Sequence, residues 1–150
     1  MIRKLNTSRV SLLAATVVAL VVLALAGVAR LHAFADDESP LHVAMEKMDD
    51  ALKALRKQVS DPAQNDASLK LIEEMQAQCV IAKGMTPERA AKEADKKKFV
   101  TAYRLDMLKV MDELVKLERA VLEGKNEEAL NLAKGLTKVK NEGHEKFQVE

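Results

Sequence analysis

A chain of 150 residues with 24 Lys and Arg against 23 Asp and Glu has room for one domain and carries almost no net charge. A nucleic-acid binder needs clustered basic surface, and the only basic run, Lys96 to Lys98, is better explained as a solvated helix start. A single cysteine, no tryptophan and only 5 glycines and 3 prolines exclude a disulfide scaffold and favour helix throughout.

The N-terminus stands apart. "MIRKLNTSR" carries Arg3, Lys4 and Arg9 and no acid, and residues 10–29, "VSLLAATVVALVVLALAGVA", carry no charge. Ala33 and Ala35 then form an A-x-A cleavage pattern. This order defines a signal peptide over residues 1–35. The apolar run is about twenty residues, enough to span a bilayer, so an uncleaved anchor is the alternative, and membrane association is expected only in that case. Either way residues 36–150 are expected to form a domain outside the cytoplasm, with the basic start left inside. Residues 1–35 hold four of the 24 cations and no acid, so the remainder has a net charge of −3.

Four helices are predicted in that domain. In "SPLHVAMEKMDDALKALRKQV", Ser39 and Pro40 suit the N-cap and first helical position. Leu41, Met45, Met48, Leu52, Leu55 and Val59 then follow at alternating steps of four and three, one apolar stripe. "SDPAQND" ends this helix. The second runs from about Ser68 to Lys83 on Leu69, Ile72, Met75 and Cys79, with Gly84 as its expected C-cap and Pro87 as a breaker. Residues 88–95 have room for a short helical turn. The third helix extends from about Lys96 to Leu122, with Phe99, Val100, Tyr103, Met107, Val110, Met111, Leu114, Leu117 and Val121 as its apolar positions. "EGKN" is a tight link, and Asn126 is expected to cap a fourth helix carrying Ala129, Leu132, Leu136, Val139, Gly143 and Phe147. The lone Cys79 is expected to be a buried small hydrophobe.

Similar lengths and short links predict an all-α, up-down-up-down antiparallel four-helix bundle. Antiparallel neighbours put the start of helix 1 and the end of helix 4 at one level. Met45 and His144 each lie about one turn from that end, offset from their stripes by roughly 40° and 70°. A thioether and an imidazole at one level suit the two axial positions of haem iron, which then has no open site and serves electron transfer. Met48, Leu52, Met75, Met85, Pro87, Tyr103 and Met107 are available from the same end as apolar walls, and Lys140 is placed to meet a haem propionate. The plainer readings are an exposed His144 beyond a helix stopped by "NEG", and Met45 as core filler. His42, three residues before Met45, makes a two-ligand copper site conceivable.

"LHVAMEKMDDALKAL" and "GKNEEALNLAKGLTKVKNEGHEKF" resemble the cytochrome b562 family over roughly residues 40–148. The resemblance implies a periplasmic electron carrier with one non-covalent haem b, Met45 and His144 as axial ligands, and a redox protein as partner. No C-x-x-C-H precedes His144, so covalent attachment of the cytochrome c′ type is excluded. The chain departs from the family pattern in places. Its first loop is longer, Tyr103 and Met107 stand where an aromatic pair is expected, Lys140 replaces an arginine, and Gly143 replaces a bulky residue. Phe99 is the expected substitute for the missing ring. No nucleophile–base–acid set, phosphate loop or paired E-x-x-H appears, so no enzyme is expected. The alternative is a haem-free exported bundle with a structural, stress-response or metal-binding role.

Overall fold

The computed structural model describes residues 39–147. The expected signal or anchor segment lies outside the described residues. Those described form four long helices: α1 (Pro40–Gln58), α2 (Asn65–Gly84), α3 (Lys96–Leu122) and α4 (Asn126–Phe147). No helix among them is long and apolar enough to cross a membrane. Each helix packs on the next in the chain, and α4 returns to α1 in a sparser contact. That ring of neighbours is the up-down-up-down bundle.

The helix ends follow from local chemistry. The Ser39 hydroxyl accepts from the His42 amide at 3.2 Å, and Pro40 opens α1. Arg56 and Lys57 lie at its negative end. The link after α1 differs from the expected turn. Asp61 accepts from Ala63 N at 2.9 Å and caps a 3-10 turn, Pro62–Gln64, which feeds directly into α2. The helix therefore starts at Asn65, ahead of the expected Ser68. Ser68 is buried inside it and accepts from the Gln58 side chain.

Gly84 is not a left-handed cap. It is the last residue of α2, and the extended Met85 follows as the cap. A second 3-10 turn, Glu88–Lys92, occupies the long loop. Asp95 caps α3 by accepting from Lys98 N at 2.9 Å. Between α3 and α4 the left-handed residue is Gly124, at φ 70°. Lys125 N donates to Ala120 O and Gly124 N to Val121 O, the bond pair that closes a helix C-terminus around a glycine.

Asn126 does not act as a side-chain cap. It is the first residue of α4 and 7% exposed, and its amide crosses the bundle end to Val59 O at 2.8 Å and Asn65 Oδ1 at 2.7 Å. The Asn65 amide in turn reaches Val121 O. One polar network thus joins all four helices at the end remote from His144. Between the ends lies a single apolar core, in which Leu55, Ile72, Cys79, Leu114, Leu117 and Val121 are fully enclosed. Each such aliphatic side chain contributes about 1.5–3 kcal/mol by leaving water. Gly135 does not mark a close helix approach, since a Cβ there would meet nothing within 4 Å.

Candidate functional site

At the open end a cleft of about 350 Å³ runs between α1, α3 and α4, with Met75 of α2 reaching into it. That volume lies in the range of small-molecule and cofactor pockets, roughly 300–1,000 Å³. Its apolar surface comes from Met48 and Leu52 on α1, Tyr103, Met107 and Leu114 on α3, and Leu136 and Phe147 on α4. Met45, Lys140 and His144 line it too. Pro87 does not. It is buried within the long loop, its carbonyl accepting from Ala90 N. Met85 is also absent from the lining.

One ion pair gives the cleft its register. Lys140 Nζ on α4 lies 2.6 Å from Asp49 Oδ1 on α1, with both side chains largely covered. Met45 is four residues before Asp49, and His144 is four residues after Lys140. In each helix this spacing returns to the same face one turn away. Because α1 and α4 run in opposite directions, both steps lead toward the open end. Met45 and His144 therefore occupy one level on facing flanks, a turn beyond the ion pair. His144 is exposed and Met45 half-buried. Among the described residues no side chain hydrogen-bonds the His144 imidazole.

The "NEG" sequence does not stop α4, which continues through His144 to Phe147. Gly143 lines the cleft, and a Cβ there would meet nothing within 4 Å. The second aromatic wall is not Phe99. It is Phe147, whose ring meets Tyr103 and Phe99 edge to face, each at 5.4 Å between centroids. Tyr103 is fixed from behind, its hydroxyl donating to Ala82 O at 2.9 Å. Burial pushes that phenol well above its ordinary range, with Cys79 adding to the effect.

Two aspartates flank the cleft in matching settings. Burial alone would raise the Asp49 carboxyl, but hydrogen bonds from Lys140 and Lys53 outweigh it and hold the group below the usual carboxylate range. Asp106 on α3 is likewise opposed by burial and lowered by Lys146 and Lys109. Each is held by one lysine from its own helix and one from α4. Sequence reasoning missed these aspartates and the place of Phe147. The signal was present, since Asp49 and Lys140 bear the same four-residue relation to Met45 and His144.

The donor set narrows the chemistry. Among the described residues no group of three or more His, Cys, Asp and Glu is placed to hold a metal ion. Cys79 is buried and donates weakly to Met107 O, and burial pushes its thiol up to about 11. The cleft is lined by four methionine thioethers and one imidazole, and of the thioethers Met45 shares the level of His144. That pair fits the axial positions of a flat iron macrocycle better than a bare metal ion, which needs more donors.

A four-helix bundle with such a cleft at its open end defines a class, the haem-binding helical bundles. The profile of the cytochrome b562 family matches residues 40–148, and the chain belongs to that family. The family consists of haem-binding four-helix-bundle electron carriers. It is itself a standard example of the up-down-up-down bundle, so family and fold are one finding. Neither the curated proteins nor the solved structures gave a match.

Proposed function

We propose that the protein is an exported electron carrier that holds one haem b non-covalently, with Met45 and His144 as its axial ligands. The observation that carries this reading is the Asp49–Lys140 ion pair, which sets Met45 and His144 at one level across the cleft. The chemistry a bound haem supplies is one-electron exchange between ferric and ferrous iron. Met45 offers a neutral sulfur and His144 a neutral ring nitrogen, and together they leave no open position for oxygen or substrate. Met48, Leu52, Met75, Met107 and Phe147 keep water from the cleft, and Tyr103 is held rigid by its bond to Ala82 O. Lys140 lies beside the cleft, where its ammonium is available as a counter-charge for a propionate while it keeps its bond to Asp49. The partner is a redox protein. The basic, apolar and A-x-A order of residues 1–35 supports a periplasmic location, with a membrane tether only if that segment is retained.

The test is a haemin titration of the purified protein beside Met45→Ala and His144→Ala, followed by visible absorbance. One equivalent giving a low-spin spectrum in the parent protein, and high-spin or weak binding in each variant, is the expected result. Identical spectra in all three proteins would refute the ligand assignment.

A further inference from the structure

The last turn of α4 poses a problem that its own sequence does not solve. Gly143 weakens the helix immediately before His144. A Cβ at Gly143 would meet nothing within 4 Å, so glycine is not required there by a close approach. Yet α4 stays helical to Phe147.

Three contacts, all beyond His144, account for this. Phe147 is only 2% exposed and sits edge to face against both Phe99 and Tyr103 of α3. Lys146 Nζ lies 2.8 Å from Asp106 Oδ2, again on α3. Arg89 of the long loop donates to Lys146 O at 3.4 Å, and Glu93 holds Arg89 in turn at 2.8 Å. His144 lies about 60° round the helix from Phe147, with Lys140, which pairs with α1, between them in rotation.

We infer that Phe147 is the positioning residue for His144. It fastens the turn that bears the imidazole to α3, across the weak point at Gly143, so that His144 is presented to the cleft without being packed itself. The Lys146–Asp106 pair and Arg89 assist, but they are exposed or long contacts, and the buried ring carries most of the restraint. The inference rests on His144 acting as an iron ligand. Its first readout is independent of haem.

The experiment compares the parent protein with Phe147→Ala, Phe147→Leu and His144→Ala. Amide hydrogen exchange is measured first, on the haem-free proteins. In Phe147→Ala the amides of residues 144–147 should exchange at least about tenfold faster while the core of α1 to α3 keeps its protection. Phe147→Leu, which keeps an apolar anchor, should fall between, and it stands in if the alanine variant fails to fold. Each protein is then loaded with haemin. Phe147→Ala should show a high-spin fraction that added imidazole converts to the low-spin form, as in His144→Ala. Unchanged exchange at 144–147 would overturn the inference. So would faster exchange with a fully low-spin spectrum, because His144 would then hold its place unaided. If His144→Ala matches the parent spectrum, the ligand reading fails, and the exchange result identifies that failure separately.

Discussion

Replacing Asn126 by alanine tests how far the two ends of this bundle are separable. The amide nitrogen donates to Val59 O at 2.8 Å and to Asn65 Oδ1 at 2.7 Å, both at the end remote from the cleft. Each hydrogen bond contributes about 1 kcal/mol net, and a buried carbonyl left without a donor costs about 1–3 kcal/mol. One term opposes this loss. Asn126 Oδ1 is buried without a partner, and the substitution removes it. The balance is a destabilisation of about 1.5–2 kcal/mol. With a urea slope of about 2 kcal/mol/M, the midpoint should fall by roughly 0.8–1 M with the slope unchanged. Far-UV circular dichroism across a urea series measures this. Asn126→Asp should be at least as harmful, because it sets carboxylate oxygen against Val59 O. At urea-free conditions neither variant should change the haem spectrum, since the cleft is at the opposite end. A midpoint within about 0.2 M of the parent, or an altered spectrum in the folded variant, would refute the reasoning.

Acid should weaken the fold through Asp49 and Asp106. Both carboxyls lie below their unfolded values, so their stabilisation is fully present above about pH 4 and is lost as pH falls through the lowered folded values. Thermal melts from pH 6 to pH 2 should show a drop that Asp49→Asn and Asp106→Asn each reduce. Cys79 behaves in the opposite sense. Its thiol, pushed up to about 11 by burial, should resist a thiol reagent in the native protein and react at once in urea. Its contribution to stability is intact below pH 9 and is lost as pH rises toward 11. Among the glycines, Gly135→Ala should stabilise by up to about 1 kcal/mol, because it adds helix propensity in open space. Gly124→Ala should destabilise by about 1–2 kcal/mol, because φ there is 70°. Paired urea midpoints distinguish the two signs.

Helix count, order and the long third helix were legible because the apolar stripes are long and regular. Ser39 and Pro40 marked one boundary plainly. The failures share a cause. Asn126 and the "NEG" of α4 resembled local cap and stop signals, and tertiary contacts decided both. Asn126 serves Val59 and Asn65 across the bundle instead of its own helix. Gly143 is overridden by Phe147, four residues later. The cleft was legible in part for the same reason. Residues on a stripe, such as Leu52, Met75, Tyr103 and Met107, could be placed by periodicity. Pro87, in a loop, could not, and neither could the cross-helix pairing of Asp49 with Lys140.

The bundle is built unevenly, and this unevenness is what a cofactor site of this kind requires. At the remote end a buried polar network draws all four helices together. Among neighbouring helices α1 and α4 pack most sparsely, and the Asp49–Lys140 ion pair bridges them beside the cleft. A partly covered pair of this type is worth about 1 kcal/mol or less, so it holds the helices in register without sealing the gap. A fully packed interface there would bury Met45 and His144 against each other and close the cleft. Asp49 and Lys140 thus favour a cleft that stays open yet keeps its geometry. The anchoring of α4 to α3 through Phe147 leaves His144 exposed beside the cleft. The same division explains why the apolar stripe of α4 ends in a buried phenylalanine while the residue three places earlier is an exposed histidine.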